Sequence, residues 1–476
     1  MAADENQTIL EATTINSQKP PEASGASSAT SSSSGQTDTA AQTGVVSVTD
    51  ADSSGSAKAA ITGKPFVYPA YQPVVEGLDG LRLDFSHGAR VAFPDSFPEG
   101  RRLVILDEDS GTCLCDAPIK PGSCLETTKK YYLRYRVMIG DAASSTIIWS
   151  HTLDLKDRDV LVQMPYEGAI GDSIAWFSVV ERFQKQHSCR LHLLLPPKFR
   201  ELFEPCYPDI HFVTYDEAKE LRPYASYYLA VFFKGDEDWQ PLDFRFCGLA
   251  ETAGRILGLR DLSNIHPRVR IGPRTIHEPY VCIGTVGSAN AKCWNNPHGW
   301  IGLVEYLKAC GYRVLCIDKE RVNGCGDVWR TIPYGAEDFT GDRPLQERVD
   351  LIGHADFFVG LTSGLSWLAW CTGVPVVMIV GITSHIGDFG TPYLVQSRIA
   401  CHGCWNDPRC DFDHHDFLWC PRHKGTPRAY ECTRSISVRM VADVISRIPG
   451  ARRPPEPPAK SEAPAGPQTG PDRQLT

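Results

Sequence analysis

A chain of 476 residues is longer than one hydrophobic core usually serves, so two or three domains are expected. Acidic residues number 57 against 48 basic ones, and the net charge of -9 excludes a general electrostatic attraction to nucleic acid or to an anionic bilayer. There is no long apolar run and no basic-then-apolar leader, so neither a membrane span nor secretion is expected. The 17 cysteines are odd in number and often set in apolar stretches such as Val281-Cys282-Ile283, which reads as reduced thiols in the cytoplasm.

Residues 1–63 are rich in Ser, Thr, Ala, Gly and Gln, with Ser31-Ser32-Ser33-Ser34-Gly35 in their middle, and too poor in large apolar side chains to offset the entropy of ordering. Residues 450–476, with Pro454-Pro455-Glu456-Pro457-Pro458, read the same way, so both ends are expected to be disordered. Between 64 and 155 the apolar period is two: Leu81, Leu83 and Phe85 alternate with other residues, as do Tyr131, Leu133, Tyr135, Val137 and Ile139. Half-buried strands parted by turns at His87-Gly88, Asp109-Ser110-Gly111 and Pro121-Gly122-Ser123 predict a small all-β domain.

From 156 onward short apolar runs alternate with helical stretches. Strands at Val160–Met164, Arg190–Leu195, Ile210–Thr214 and Tyr227–Phe233, a helix ending near Gln186 and another over Phe244–Leu257 predict a first Rossmann-like half over 156–276. A second series covers 277–449, with strands at Tyr280–Gly284, Arg313–Ile317, Asp356–Gly360 and Val376–Val380 and helices at His298–Cys310, Ser363–Cys371 and Ile436–Ile448. The expected class is α/β, two doubly wound parallel sheets with a cleft between them at the carboxyl edges of their strands.

Three loops at those edges carry chemistry. In Gly168-Ala-Ile-Gly171-Asp172-Ser173 the glycines allow a sharp turn and close approach to a ligand, and Asp172 stands at a helix start, as an N-cap or as a base facing the cleft. The loop Gly284 to Pro297 is built of small residues that leave room for phosphates, and Lys292 supplies a point charge able to neutralise a diphosphate; a solvated surface lysine is the plain alternative. Trp294 in the same loop is expected to pack rather than to stack on a base. At Thr362-Ser363-Gly364-Leu365 a buried strand runs into two hydroxyls and a glycine at a helix N-terminus, a phosphate site or an ordinary capping turn. The strand ending at Gly381 adds a further glycine turn expected to border the same pocket. Taken together, this is the layout for moving a group from a diphosphate donor to a hydroxyl, with Asp172 and Lys292 catalytic and Gly171, Lys292, Thr362, Ser363, Gly364 and Leu365 touching the donor.

Within 397–435 lies a loop-rich segment with no helical or strand period and with cysteines at 401, 404, 410, 420 and 432. Cys401 and Cys404 form a C-x-x-C pair, and Cys420 and Cys432 complete a four-thiolate layout suited to zinc or iron. Such a site supplies roughly 10–16 kcal/mol of apparent binding energy, enough to order a segment poor in apolar residues. Cys410 is a fifth candidate, and His402, His414, His415 and His423 are polar-loop histidines able to ligate. A non-enzymatic zinc ribbon is the distant alternative, weakened because Arg409, Arg422, Lys424 and Arg428 are offset by Asp407, Asp411, Asp413 and Asp416.

The blocks Gly171-Asp172-Ser173-Ile174, Lys292-Cys-Trp294-Asn-Asn-Pro297 and Thr362-Ser363-Gly364-Leu365-Ser366-Trp367 resemble the motifs of the bacterial lipopolysaccharide heptosyltransferases, which are inverting GT-B enzymes. Cys401-His-Gly-Cys404-Trp-Asn-Asp with Leu418-Trp-Cys420-Pro-Arg resembles, more narrowly, the autotransporter heptosyltransferases, which modify adhesins in the cytoplasm. The resemblance spans roughly residues 65–445. It implies an ADP-heptose donor, adhesin serines as acceptors, Asp172 as base, Lys292 at the diphosphate, iron on Cys401, Cys404, Cys420 and Cys432, and a homododecamer. A lipopolysaccharide core acceptor remains the nearer alternative.

Overall fold

Strand Arg82–Ser86 joins two architectures. On one side it pairs antiparallel with Val75–Glu76 and Arg90–Ala92, the latter followed by Cys124–Thr127; on the other it pairs in parallel with Ala225–Tyr228. The sheet continues through Asp159–Gln163, Arg190–Leu194 and His211–Phe212, nine strands in all. The computed structural model describes residues 66–455 apart from 145, 234, 264, 385 and 414, together with the backbone of 45–48.

The β region expected over 64–155 thus shares one of its sheets with the first α/β half. The alternation of Leu83 and Phe85 is real, but Asp84 between them and Ser86 after them are buried as well. Asp84 takes a two-pronged grip from Arg90, whose Nε lies 2.8 Å from Oδ1, so a strand that reads as half-buried is enclosed on both faces. The rest of the β region is a four-stranded antiparallel sheet in the order Cys113–Pro118, Arg101–Asp107, Tyr135–Asp141, Ile147–Thr152. A strand at Val45–Val48, the β-branched run of the segment expected to be disordered, lies antiparallel to Cys124–Thr127. The other expectations for 1–63, and those for 456–476, lie outside the described residues.

The second half is a six-stranded parallel sheet, ordered Glu337–Asp338, Arg313–Cys316, Tyr280–Ile283, Phe358–Leu361, Val376–Val380, Leu394–Gln396. Its inner strands are buried on both faces, as parallel sheets covered by helices require. Helices Gly299–Ala309, Gly364–Thr372 and Val438–Ile445 fall where the periodicity places them. The single helix expected over 244–257 is two, Phe244–Cys247 and Leu249–Ile256, because Gly248 turns the chain at φ 79° against the carbonyl of Ile386. Helix Leu345–Gly353 and the hairpin Val322–Cys325 with Val328–Thr331 were not foreseen.

The halves meet at their glycines. A methyl group built on Gly171, at the start of helix Ile170–His187, would lie 2.8 Å from the Trp367 ring, and one on Gly364 would lie 2.6 Å from Cβ of Ile170. Two helix N-termini, one from each half, therefore abut at the floor of the cleft.

Candidate active site

The cleft has a volume of about 1000 Å³ and draws its walls from both halves and from the cysteine-bearing segment. Asp172, Gly171, Lys292, Thr362, Ser363, Gly364 and Leu365 all line it, so the structure brings together the whole group expected from three separate loops. A more open depression around His192, Arg200 and His211 contains none of them.

Asp172 sits in the first turn of Ile170–His187, and the helix is capped instead by the extended backbone at Ala169, with no side-chain cap. The N-cap alternative for Asp172 therefore fails. Part of its surface faces the cleft, yet the surrounding protein desolvates the carboxyl and raises its pKa, against the downward pull of Lys292. Such a shift makes the carboxylate a stronger base while it remains open to an acceptor.

Lys292 is mounted on a loop braced from several directions. Asp318, buried at the end of strand Arg313–Cys316, accepts from the Thr285 amide at 2.9 Å, from the Thr285 hydroxyl at 2.7 Å and from the Val286 amide at 3.2 Å. Arg330 donates to Oδ1 of both Asn290 and Asn295. Trp294 is buried, as expected, and its indole N–H donates to the Ile436 carbonyl at 2.9 Å. No hydrogen bond or ion pair holds the Lys292 ammonium among the described residues, which leaves it for a ligand.

At the third loop, the hydroxyl oxygens of Thr362 and Ser363 are buried without a hydrogen-bond partner, and Ser363 does not cap its own helix. Orphaned hydroxyls beside free helix amides make a site for an anion. Ser366, three positions past Ser363, is spent internally on the Leu361 carbonyl.

Asp388 and Asp318 were not singled out from the sequence. Asp388 lines the cleft, accepts from the Thr383 hydroxyl at 2.9 Å, and is raised to about 6 by burial and by the Asp172 carboxylate, with Thr383, Lys292 and Trp367 acting the other way. The glycine turn at Gly381 was the one signal that this loop borders the pocket.

The cysteine segment is docked beside this loop. The Gly403 amide donates to the Gly381 carbonyl at 3.0 Å, the Trp405 amide to Ile382 at 2.9 Å, and the Asn290 amide of the lysine loop to Phe417 at 2.8 Å. Trp405 and Phe412 reach the cleft, and Trp405 also packs on Phe244 of the first half with ring centroids 5.3 Å apart. Cys401, Cys404 and Cys420 all bear electrostatically on Cys432. Burial raises Cys404 and Cys432 to about 12, and Cys432 is raised further by the other three thiols. Cys410 bears on Cys404. Among the described residues no three or more His, Cys, Asp or Glu side chains close into a metal-holding group, and all five thiols are free. The donor chemistry still fits a soft cation, because a compensating positive charge would favour the thiolate form that burial opposes at Cys404 and Cys432. His414 lies outside the described residues. Arg409 and Arg422 pair with Asp407, Lys424 with Asp416 and Arg428 with Glu431, so the basic residues around the cluster form no open stripe.

Two Rossmann-like halves facing across a cleft, with a raised carboxylate on one and a lysine and bare helix N-terminus on the other, define a GT-B glycosyltransferase. Residues 261–412 match glycosyltransferase family 9 (heptosyltransferase), and residues 77–142 match the N-terminal domain of glycosyltransferase TibC. Over 385 residues the chain is 47% identical to the autotransporter heptosyltransferase BAHTCr of Citrobacter rodentium, covering 80% of this chain and 92% of that one. TibC of Escherichia coli is 45% identical over 385 residues, 80% of this chain and 93% of TibC. The crystal structure of TibC, an iron-containing dodecameric glycosyltransferase, aligns with a TM-score of 0.76 over 80% of this chain and 99% of that one; TibC is also solved with ADP-D-β-D-heptose. The inactive autotransporter heptosyltransferase BimC of Burkholderia thailandensis is 36% identical over 389 residues, 81% of this chain and 90% of BimC. This chain belongs to the autotransporter heptosyltransferase family.

Proposed function

We propose that the protein transfers heptose from ADP-heptose to serine hydroxyls of autotransporter adhesins, with inversion at the anomeric carbon. The observation that carries this reading is the pairing of Asp172 and Lys292, contributed by different halves and electrostatically coupled across one cleft. In the reaction Asp172 accepts the serine proton as the serine oxygen bonds to the anomeric carbon from the face opposite the diphosphate. The bond from that carbon to the diphosphate oxygen breaks, and its electron pair leaves with ADP. Lys292, the Thr362 and Ser363 hydroxyls and the amides opening helix Gly364–Thr372 hold the added negative charge, fixed in place before the reaction begins.

Iron held by Cys401, Cys404, Cys420 and Cys432 is part of the proposal. Resemblance to the family's cysteine spacing favours Cys432 over Cys410, and Cys432 is electrostatically coupled to the other three. The residues themselves bind and brace: they tie the segment to the Gly381 turn and to the lysine loop, and no step of the transfer passes through them. The reading sets the chain in the cytoplasm, where thiols stay reduced; no described helix is long and apolar enough to cross a membrane. By likeness to TibC it assembles as a homododecamer of 52.6 kDa chains.

Co-expression with an autotransporter adhesin, followed by mass spectrometry of the adhesin, tests the function. Heptose on passenger serines is expected. A hexose in its place, or transfer to lipopolysaccharide core with none to the adhesin, overturns it.

A further inference from the structure

We propose that Asp388 reads the donor sugar: its carboxylate accepts hydrogen bonds from hydroxyls of the transferred ring and holds the anomeric carbon between Asp172 and Lys292. This rests on the glycosyl-transfer reading above and adds a specificity-determining residue to it.

The first ground is position. Asp388 lines the same cleft as Asp172 and Lys292 and is electrostatically coupled to both. The second is its partner. Oδ2 accepts from the neutral Thr383 hydroxyl at 2.9 Å, and the Trp367 ring lines the cleft beside it. A carboxylate has about four acceptor sites, so this one bond orients it and leaves capacity for a ligand. The third is the exclusion of other ligands by charge. A diphosphate shares the sign of Asp388 and is repelled, and the acceptor's one hydroxyl belongs to Asp172. A ring bearing several neutral O–H donors is the remaining reactant whose chemistry a carboxylate with spare acceptor sites complements.

The mounting is the fourth ground. Asp388 hangs from a loop whose start is clamped at three points: Gly381 and Ile382 accept from Gly403 and Trp405, and the Ser384 amide donates to Oδ1 of Asn406 at 2.7 Å. Recognition of hydroxyl positions demands such fixing, since a side chain on a loose loop cannot distinguish one ring geometry from another. Burial works against the charge at Asp388, and a carboxyl kept in a cleft against that cost is the pattern of a functional site.

Calorimetric titration of the full-length protein with ADP-heptose and, separately, with ADP tests the assignment. Asp388→Asn is expected to weaken ADP-heptose by about 10- to 100-fold, the scale of hydrogen bonds to a charged group, and to leave ADP within about two-fold. Thr383→Val, which frees the carboxylate without removing it, is expected to weaken ADP-heptose by about 3- to 10-fold, again without effect on ADP. It carries the test if Asp388→Asn does not fold. Unchanged ADP-heptose affinity in either folded variant overturns the assignment, and so does an equal change for ADP, which would place Asp388 at the diphosphate. Wild-type protein that binds ADP but gains nothing from the attached heptose defeats the transferase reading instead, so the two failures are told apart.

Discussion

The first loops of the two halves occupy equivalent places, each between the opening strand of a sheet and the helix that follows, and they are held very differently. The loop bearing Lys292 is laced down by Asp318, Arg330 and the contacts of Trp294, Asn295 and Asn296 with the segment after Cys432. The loop bearing Asp172 has a backbone turn at Gly168 and a bond from Lys198 to the Gly168 carbonyl at 3.0 Å, and the Asp172 carboxyl has no hydrogen-bonded partner among the described residues. Leaving-group charge must be met by donors that do not move, whereas a proton acceptor must stay bare to admit its substrate. Rigidity on one side and exposure on the other therefore match the two tasks of an inverting transfer.

Removing the bare side should have the largest effect. Asp172→Ala is expected to lower kcat by about 10²- to 10⁴-fold, the range for losing a positioned general base, while ADP affinity and the melting temperature stay near wild type. Single-turnover assays beside ADP titration check this, and normal turnover would remove Asp172 from the mechanism. Breaking the braced side should appear first as lost stability. Asp318→Ala strands the amides of Thr285 and Val286 in the interior, at a cost of about 3 kcal/mol, and should weaken ADP binding through a loosened Lys292 loop. Urea denaturation measures the first effect, and an Asp318→Ala variant as stable as wild type would show that the loop is held by its other contacts.

The contrast between the loops also marks what could be seen in the amino-acid sequence. Glycines between strand and helix at Gly168–Gly171, and hydroxyls ahead of Gly364, are local signals, and the three loops duly share one cleft. Asp318 and Asp388 carry no local signal. One is an aspartate just past a strand and the other lies seven residues past Gly381, and each matters through groups distant in the chain. The joined sheet was hidden for a similar reason: the parallel pairing of Phe85 with Ala225 and of Ser86 with Ser226 leaves no mark on either strand. In the hairpin Val322–Cys325 with Val328–Thr331 no residue is buried, so the apolar alternation that reveals a packed strand is missing. Cysteine spacing marked the segment as distinct, and spacing alone could not show that it would bridge the lysine loop, the Gly381 turn and Phe244 of the other half.

Asp388 tests the contrast most finely, because it lies on the braced half yet resembles the bare carboxylate opposite. Its carboxyl protonates near pH 6 in the folded protein against an ordinary value of 3.8. Between those values the folded state holds more protons than the unfolded one, so this group makes stability fall as pH rises and offers its favourable contribution only below about pH 4. Asp388→Asn abolishes that dependence. The variant is expected to exceed wild type at pH 7.5 by on the order of 1–3 kcal/mol, the upper end reduced where cleft water screens the charge, with the gap closing as pH approaches 4. Denaturation at a series of pH values measures it. A constant gap across the series would mean that Asp388 is compensated as fully as Asp318, and the donor side would then be braced throughout; a gap that widens with pH marks Asp388 as a charge kept for a ligand that arrives later.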